Sequence, residues 1–154
     1  MFGVEDSLVS TVGLLSGVAI AETPRSTIIL TGLILIFVEA FSMGVGSFLS
    51  EHTAEEYEKQ KELGVGSAAG SAITMFVSYF AAGFIPLFPY LVFTTGTALI
   101  WSISLALLTL VVLGIISARR VNGSIVRKTL EMLILGGLAV SIGVIVGRFT
   151  LALT

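Results

Sequence analysis

The chain has no cysteine, one histidine, one tryptophan and three prolines in 154 residues, and only 12% of its side chains are charged. Without cysteine there is no disulfide, no iron-sulfur cluster and no thiolate metal site. A bound metal is left with carboxylate, thioether, hydroxyl, carbonyl or a single imidazole. A water-soluble fold of this size needs roughly 25% charged residues to coat its surface, and half that density leaves too little polar skin. Eight bases against ten acids give a net charge of −2, so the basic field that holds a nucleic acid backbone is missing. The N-terminus also lacks the basic region of a cleavable signal, because Met1-Phe2-Gly3-Val4 leads straight into acidic Glu5 and Asp6. The first apolar run is expected to be retained.

What the chain has in abundance is apolar surface, with a mean hydropathy of +1.05. A helix needs about 20 mostly apolar residues to cross the roughly 30 Å hydrocarbon layer. Such stretches lie at Phe2 to Ala21, Thr27 to Leu49, Ser67 to Phe93, Thr97 to Ala118 and Ile125 to Leu153. The expected fold is all-α and integral to the membrane, one transmembrane domain over residues 1–154 with five spanning helices. Between the second and third helices, residues 51–66 form a short acidic extension of the second helix. The short-loop bases set the orientation. Lys59, Lys61, Arg119, Arg120, Arg127 and Lys128 share the side of the N-terminus, against Arg25 and Arg148 on the other, so the N-terminus is expected in the cytoplasm. Pro86 and Pro89 remove ladder hydrogen bonds and are expected to kink the third helix. The pairs Gly13/Gly17, Gly66/Gly70 and Gly143/Gly147 allow close helix contact in lipid and lean weakly toward a dimer.

The informative residues are acids that helix length forces below the membrane surface. Ser7 to Ala21 supplies only about 22 Å of helix, so the first span must begin near Met1. Asp6 then lies about 8 Å inside, and Met43 on the antiparallel second helix reaches a similar depth, where the two can face each other. The alternative reading of Asp6 is a frayed terminal acid in water, and that of Met43 is apolar filler. Glu39 falls near the midplane, where a lone carboxylate costs roughly 3 kcal/mol or more. Such a residue lines a polar path or carries a proton; its alternative is a protonated structural group. Glu39, Met43 and Ser47 recur at i, i+4 and i+8 and share one stripe. Glu5, Glu39 and Ser47 are the proton or pathway candidates, while Glu131 is expected to pair locally with Arg127 one turn earlier. A carboxylate with a thioether suits a borderline divalent ion better than calcium or magnesium. Two ligands, Asp6 and Met43, are too few, and a twofold homodimer axis between the helices doubles them. Beyond the membrane, Glu51, Glu55, Glu58 and Glu62 share a helical face that gathers cations at the pathway mouth, or is a solvated face with Glu55–Lys59 and Glu58–Lys61 pairs.

These residues resemble the vacuolar iron transporter family. Glu5-Asp6-Ser7-Leu8-Val9-Ser10-Thr11 is similar to its Asn-Asp-Gly-Leu-Val-Ser-Thr motif, and Ser42-Met43-Gly44-Val45-Gly46-Ser47-Phe48-Leu49-Ser50 to its Ser-Met-small-small-Gly-Glu-aromatic-Val-Ser motif. Gly83-Phe84-Ile85-Pro86-Leu87-Phe88-Pro89 and Ala139 to Arg148 match its third and last helices. The resemblance implies a five-helix homodimer that exports ferrous iron, with manganese, cobalt or zinc as further ions, from the cytosol in exchange for protons. Its path lies at the dimer axis, and Asp6 and Met43 match the pathway aspartate and methionine. No cofactor is implied, only the transported ion. Two departures stand out. The family glutamate is Ser47 here, with Glu39 displaced along the same stripe. The family's inserted three-helix metal-binding domain is missing from Glu51 to Gly66, which supplies at most its first helix.

An enzyme is not expected: no His pair, intramembrane lysine or His-Glu-x-x-His string provides a base or activates a water, and Ser10, Ser42 and Ser47 have no evident activating partner. The rival to transport is a non-transporting membrane scaffold with structural acids. The expected location is a prokaryotic cell membrane, with a vacuolar membrane as the alternative.

Overall fold

A computed structural model describes residues 2–59 and 66–153, with the side chains of Glu55, Glu56, Glu58, Lys59 and Ser67 left out of the description. The described residues form α1 (Phe2–Ile20), α2 (Arg25–Lys59), α3 (Gly66–Val92), α4 (Thr95–Arg120) and α5 (Ile125–Leu153). All five are long and apolar enough to cross a membrane. The expected spans agree to within a few residues, and the second helix runs on through the charged segment as far as Lys59. That string of Glu, Lys and Ala residues has high helix propensity, so nothing stops the helix at the membrane surface.

Local chemistry explains the ends. Glu22 adopts φ 55° between α1 and α2, and Thr23 Oγ1 donates to the Val18 carbonyl at 2.9 Å, closing α1. Arg25 reaches across to the end of α3, where Nε donates to the Tyr90 carbonyl and a terminal guanidinium nitrogen to that of Leu91, each at 2.6 Å. Those carbonyls have no amide partner further along the helix. α3 continues through Pro86 and Pro89 to Val92, and buried Ser102 of α4 donates to the Pro86 carbonyl at 2.7 Å.

α1 is the central helix and contacts all four others. Its residues Leu8, Val12, Leu15 and Ala19 are buried along its length. Leu15 and Ala19 join Ile28, Ile36, Leu87, Tyr90 and Ala98 in one apolar cluster. Leu8 joins Ala82, Leu110 and Met132 in another nearer the N-terminal end of α1. Large apolar side chains remain exposed along α2, among them Leu30, Ile34, Phe37, Phe41, Val45 and Leu49. Such a surface is untenable in water and natural in lipid.

α1 and α5 run parallel and meet through small residues. A Cβ on Gly17 would lie 2.6 Å from the Gly143 carbonyl oxygen, and one on Gly143 or Gly147 would overlap the carbonyl of Gly13 or Gly17. Backbone touches backbone here, as small-residue spacing allows in lipid. Two of the three glycine pairs are therefore used inside one chain, and Gly66 and Gly70 face open space. The contact that Gly13/Gly17 and Gly143/Gly147 permit is thus made between α1 and α5 of one chain, so those two pairs do not bear on a dimer.

Candidate functional site

Glu39 lies fourteen residues into α2, near the middle of the span Arg25–Ala54. It is half-buried and faces a cleft of about 670 Å³ bounded by α1, α2 and α5. Asp6 and Ser10 of α1 line the same cleft, and its remaining walls mix the small residues Gly13, Gly17, Ala139, Gly143 and Gly147 with apolar side chains such as Leu14, Leu35 and Ile142. The close α1–α5 contact thus also makes one wall of the cleft. Asp6 and Glu39 lie near enough for the charge on one to bear on the other. Two acids share a cleft inside spanning segments, where carboxylates are expensive and mark function.

Met43 and Ser47 are half-buried further down α2, while Phe41, Ser42, Val45 and Gly46 between and beside them are exposed. The stripe read from the sequence is real, but it passes from one cleft to another. Met43, Ser47 and Glu51 line a second cleft of about 420 Å³ together with Phe2, Ser50 and Met75. An adjoining hollow of about 490 Å³ adds Ser71, Thr74 and Ser78 to Ser47, Glu51 and Met75. Within one chain, Asp6 and Met43 therefore line different clefts. Among the described residues, no three His, Asp or Glu side chains gather into a metal-holding group.

Glu5 is half-buried and faces the start of α5, where Lys128, Glu131 and its neighbour Asp6 act on its charge. Glu131 pairs with Arg127 at 3.3 Å, as expected, and also with Lys128 at 2.8 Å. His52 stacks on Phe48 with ring centroids 5.6 Å apart. The side chains of Glu55 and Glu58, and the whole of Glu62, lie outside the described residues.

The sequence reading missed Tyr79. Its hydroxyl donates to Glu39 Oε2 and is 2.6 Å from Ser10 Oγ, while its backbone carbonyl accepts from Ser7 Oγ at 2.7 Å. Ser10, which had no evident partner in the sequence, has this one. A signal was present: Tyr79 lies thirteen residues from either end of α3, and a phenol at that depth must find a polar partner.

Together these features define a multi-pass helical membrane protein with paired acids in a mid-membrane cleft and thioether and hydroxyl groups toward one end. The chain belongs to the VIT family, whose sequence profile matches residues 1–64 and 60–148. It is 35% identical over 101 residues to a vacuolar iron transporter, cccA, of Arthroderma benhamiae. That match covers 60% of this chain and 36% of the relative, so the matched stretch spans about a third of that protein's length.

Proposed function

We propose that the protein transports divalent transition metal ions, ferrous iron first and manganese, cobalt or zinc as further ions, out of the cytosol in exchange for protons, as a twofold homodimer. The observation that carries the reading is the cleft bearing Asp6 and Glu39 in spanning segments of a VIT-family chain. Its open side carries acids that lipid does not solvate, and a second copy laid over it removes them from lipid. The axis then brings two Asp6 and two Met43 together as the metal site. Glu39 takes up protons as the ion leaves, with Ser47 and Glu5 along the path. Glu51 stands at the metal-attracting mouth, and Glu55, Glu58 and Glu62 are the further acids that follow it in the sequence. A cytoplasmic N-terminus is part of the reading, supported by six short-loop bases on the N-terminal side against two on the other. A prokaryotic cell membrane is the proposed location, with a vacuolar membrane as the alternative. The chain acts without a cofactor and is not an enzyme.

Asp6→Asn or Met43→Ala should abolish metal influx into proteoliposomes loaded with a metal-quenched dye, and unchanged rates would refute the site. Glu39→Gln should uncouple flux from an imposed pH gradient. Because the chain has no cysteine, a single Ile142→Cys at the cleft should cross-link to its copy. A wholly monomeric product would remove the shared path.

A further inference from the structure

Tyr79 ties the candidate pathway to the frame of the protein. Its side chain is 0% exposed, and from α3 it reaches both α1 and α2. Ser7 holds its backbone carbonyl and Ser10 its hydroxyl, so two serines three residues apart on α1 grip the two ends of one residue. Ser10 alone would satisfy the phenol. The second partner, Glu39, is the group that costs most to leave unpaired at this depth.

The hydrogen bonds can be counted proton by proton. With Glu39 charged, Tyr79 donates to the carboxylate and Ser10 donates to Tyr79. With Glu39 neutral, its own O–H donates to the phenol oxygen and the phenol proton turns to Ser10. The Ser10 hydroxyl then turns to the Ser7 carbonyl, 3.4 Å away. Every hydroxyl proton has an acceptor in both states. The ionisable groups facing Glu39 are Asp6 from α1 and Tyr79 from α3, while the α5 wall offers only Ala139, Ile142, Gly143, Val146, Gly147 and Thr150.

We propose that Tyr79 is a positioning residue for transport: it fixes the Glu39 carboxyl on the cleft wall and lets it pass between charged and neutral forms without losing a hydrogen-bond partner. The inference rests on the reading of Glu39 as the proton-carrying acid. It is tested with Tyr79→Phe in the full chain, which keeps the ring and removes the hydroxyl. A hydrogen bond donated to a carboxylate favours its charged form. Removing it should move the midpoint of the pH–flux curve upward by about one unit, tenfold in proton concentration. The apparent KM for ferrous iron should stay within about twofold, since the loss falls on Glu39 and not on the metal ligands. Ser10→Ala takes away the acceptor of the phenol proton in the neutral state alone, so it should shift the midpoint downward, opposite to Tyr79→Phe. A curve superimposable on a pH-dependent wild-type curve would overturn the proposal. A wild-type flux indifferent to pH would instead end the coupling reading, and the positioning role is then read from infrared spectra. The Glu39 carboxyl band, identified by its loss in Glu39→Gln, should shift in Tyr79→Phe, and an unshifted band overturns the role. Should Tyr79→Phe fail to fold, the same two readouts in Ser10→Ala decide.

Discussion

The parallel contact of α1 with α5 is the sharpest packing feature, and Gly143→Ala tests it. A Cβ at position 17 would meet the Gly143 carbonyl oxygen at 2.6 Å, against about 3.4 Å for an ordinary contact, and one at position 143 would come closer still to the Gly13 carbonyl. The obstruction is backbone on both sides, so no side chain can swing away; a Cβ at position 17 would part the helices by about 0.8 Å, and one at position 143 by more. Overpacking of this kind costs about 1–3 kcal/mol, and a rigid backbone contact belongs in the upper half. At about 2–3 kcal/mol the folding equilibrium falls roughly 30- to 150-fold. The internal control is Gly137→Ala on the same helix, where a Cβ meets nothing within 4 Å and the change should be neutral or stabilising by up to about 1 kcal/mol from helix propensity. Reversible unfolding in mixed micelles, followed by circular dichroism, separates the two. Equal stability of Gly143→Ala and Gly137→Ala would refute the close α1–α5 contact.

Three further outcomes follow from single contacts. Ser102→Ala strips the Pro86 carbonyl of its 2.7 Å donor in a buried setting and should cost about 1–3 kcal/mol in the same unfolding assay. Arg25→Ala releases the Tyr90 and Leu91 carbonyls; faster amide exchange at the C-terminal turn of α3, with little change at α5, is the expected result. Glu131→Gln removes an exposed pair with Arg127 and Lys128 and should leave both melting temperature and flux where they are, since exposed pairs contribute little.

Helix positions were legible because the signals are local. Apolar runs end at Glu22, at the charged segment after Leu49 and at Arg119-Arg120, and α5 begins and ends where the sequence places it. Depth was legible too, since 1.5 Å per residue puts Glu39 at mid-span and Asp6 near one end. Depth is one coordinate of three. Which helix stands beside which depends on contacts far apart in sequence, so neither the central place of α1 nor its glycine contact with α5 could be read from spacing. The same gap explains why Asp6 and Met43, level in depth, line separate clefts within a chain. Tyr79 escaped for a related reason: it belongs to no charged pattern, and its role exists only because Ser10 and Glu39 converge on it from two other helices.

Divalent metal transport is the activity proposed for this chain. Its most direct test is ion flux through the purified protein in liposomes, with ferrous, manganous, cobaltous, zinc and calcium ions offered in turn and the outward face made acidic. Rapid flux of ferrous and other borderline ions is expected, accelerated by the proton gradient, with calcium excluded. Flux no greater than in protein-free liposomes for every ion would contradict it.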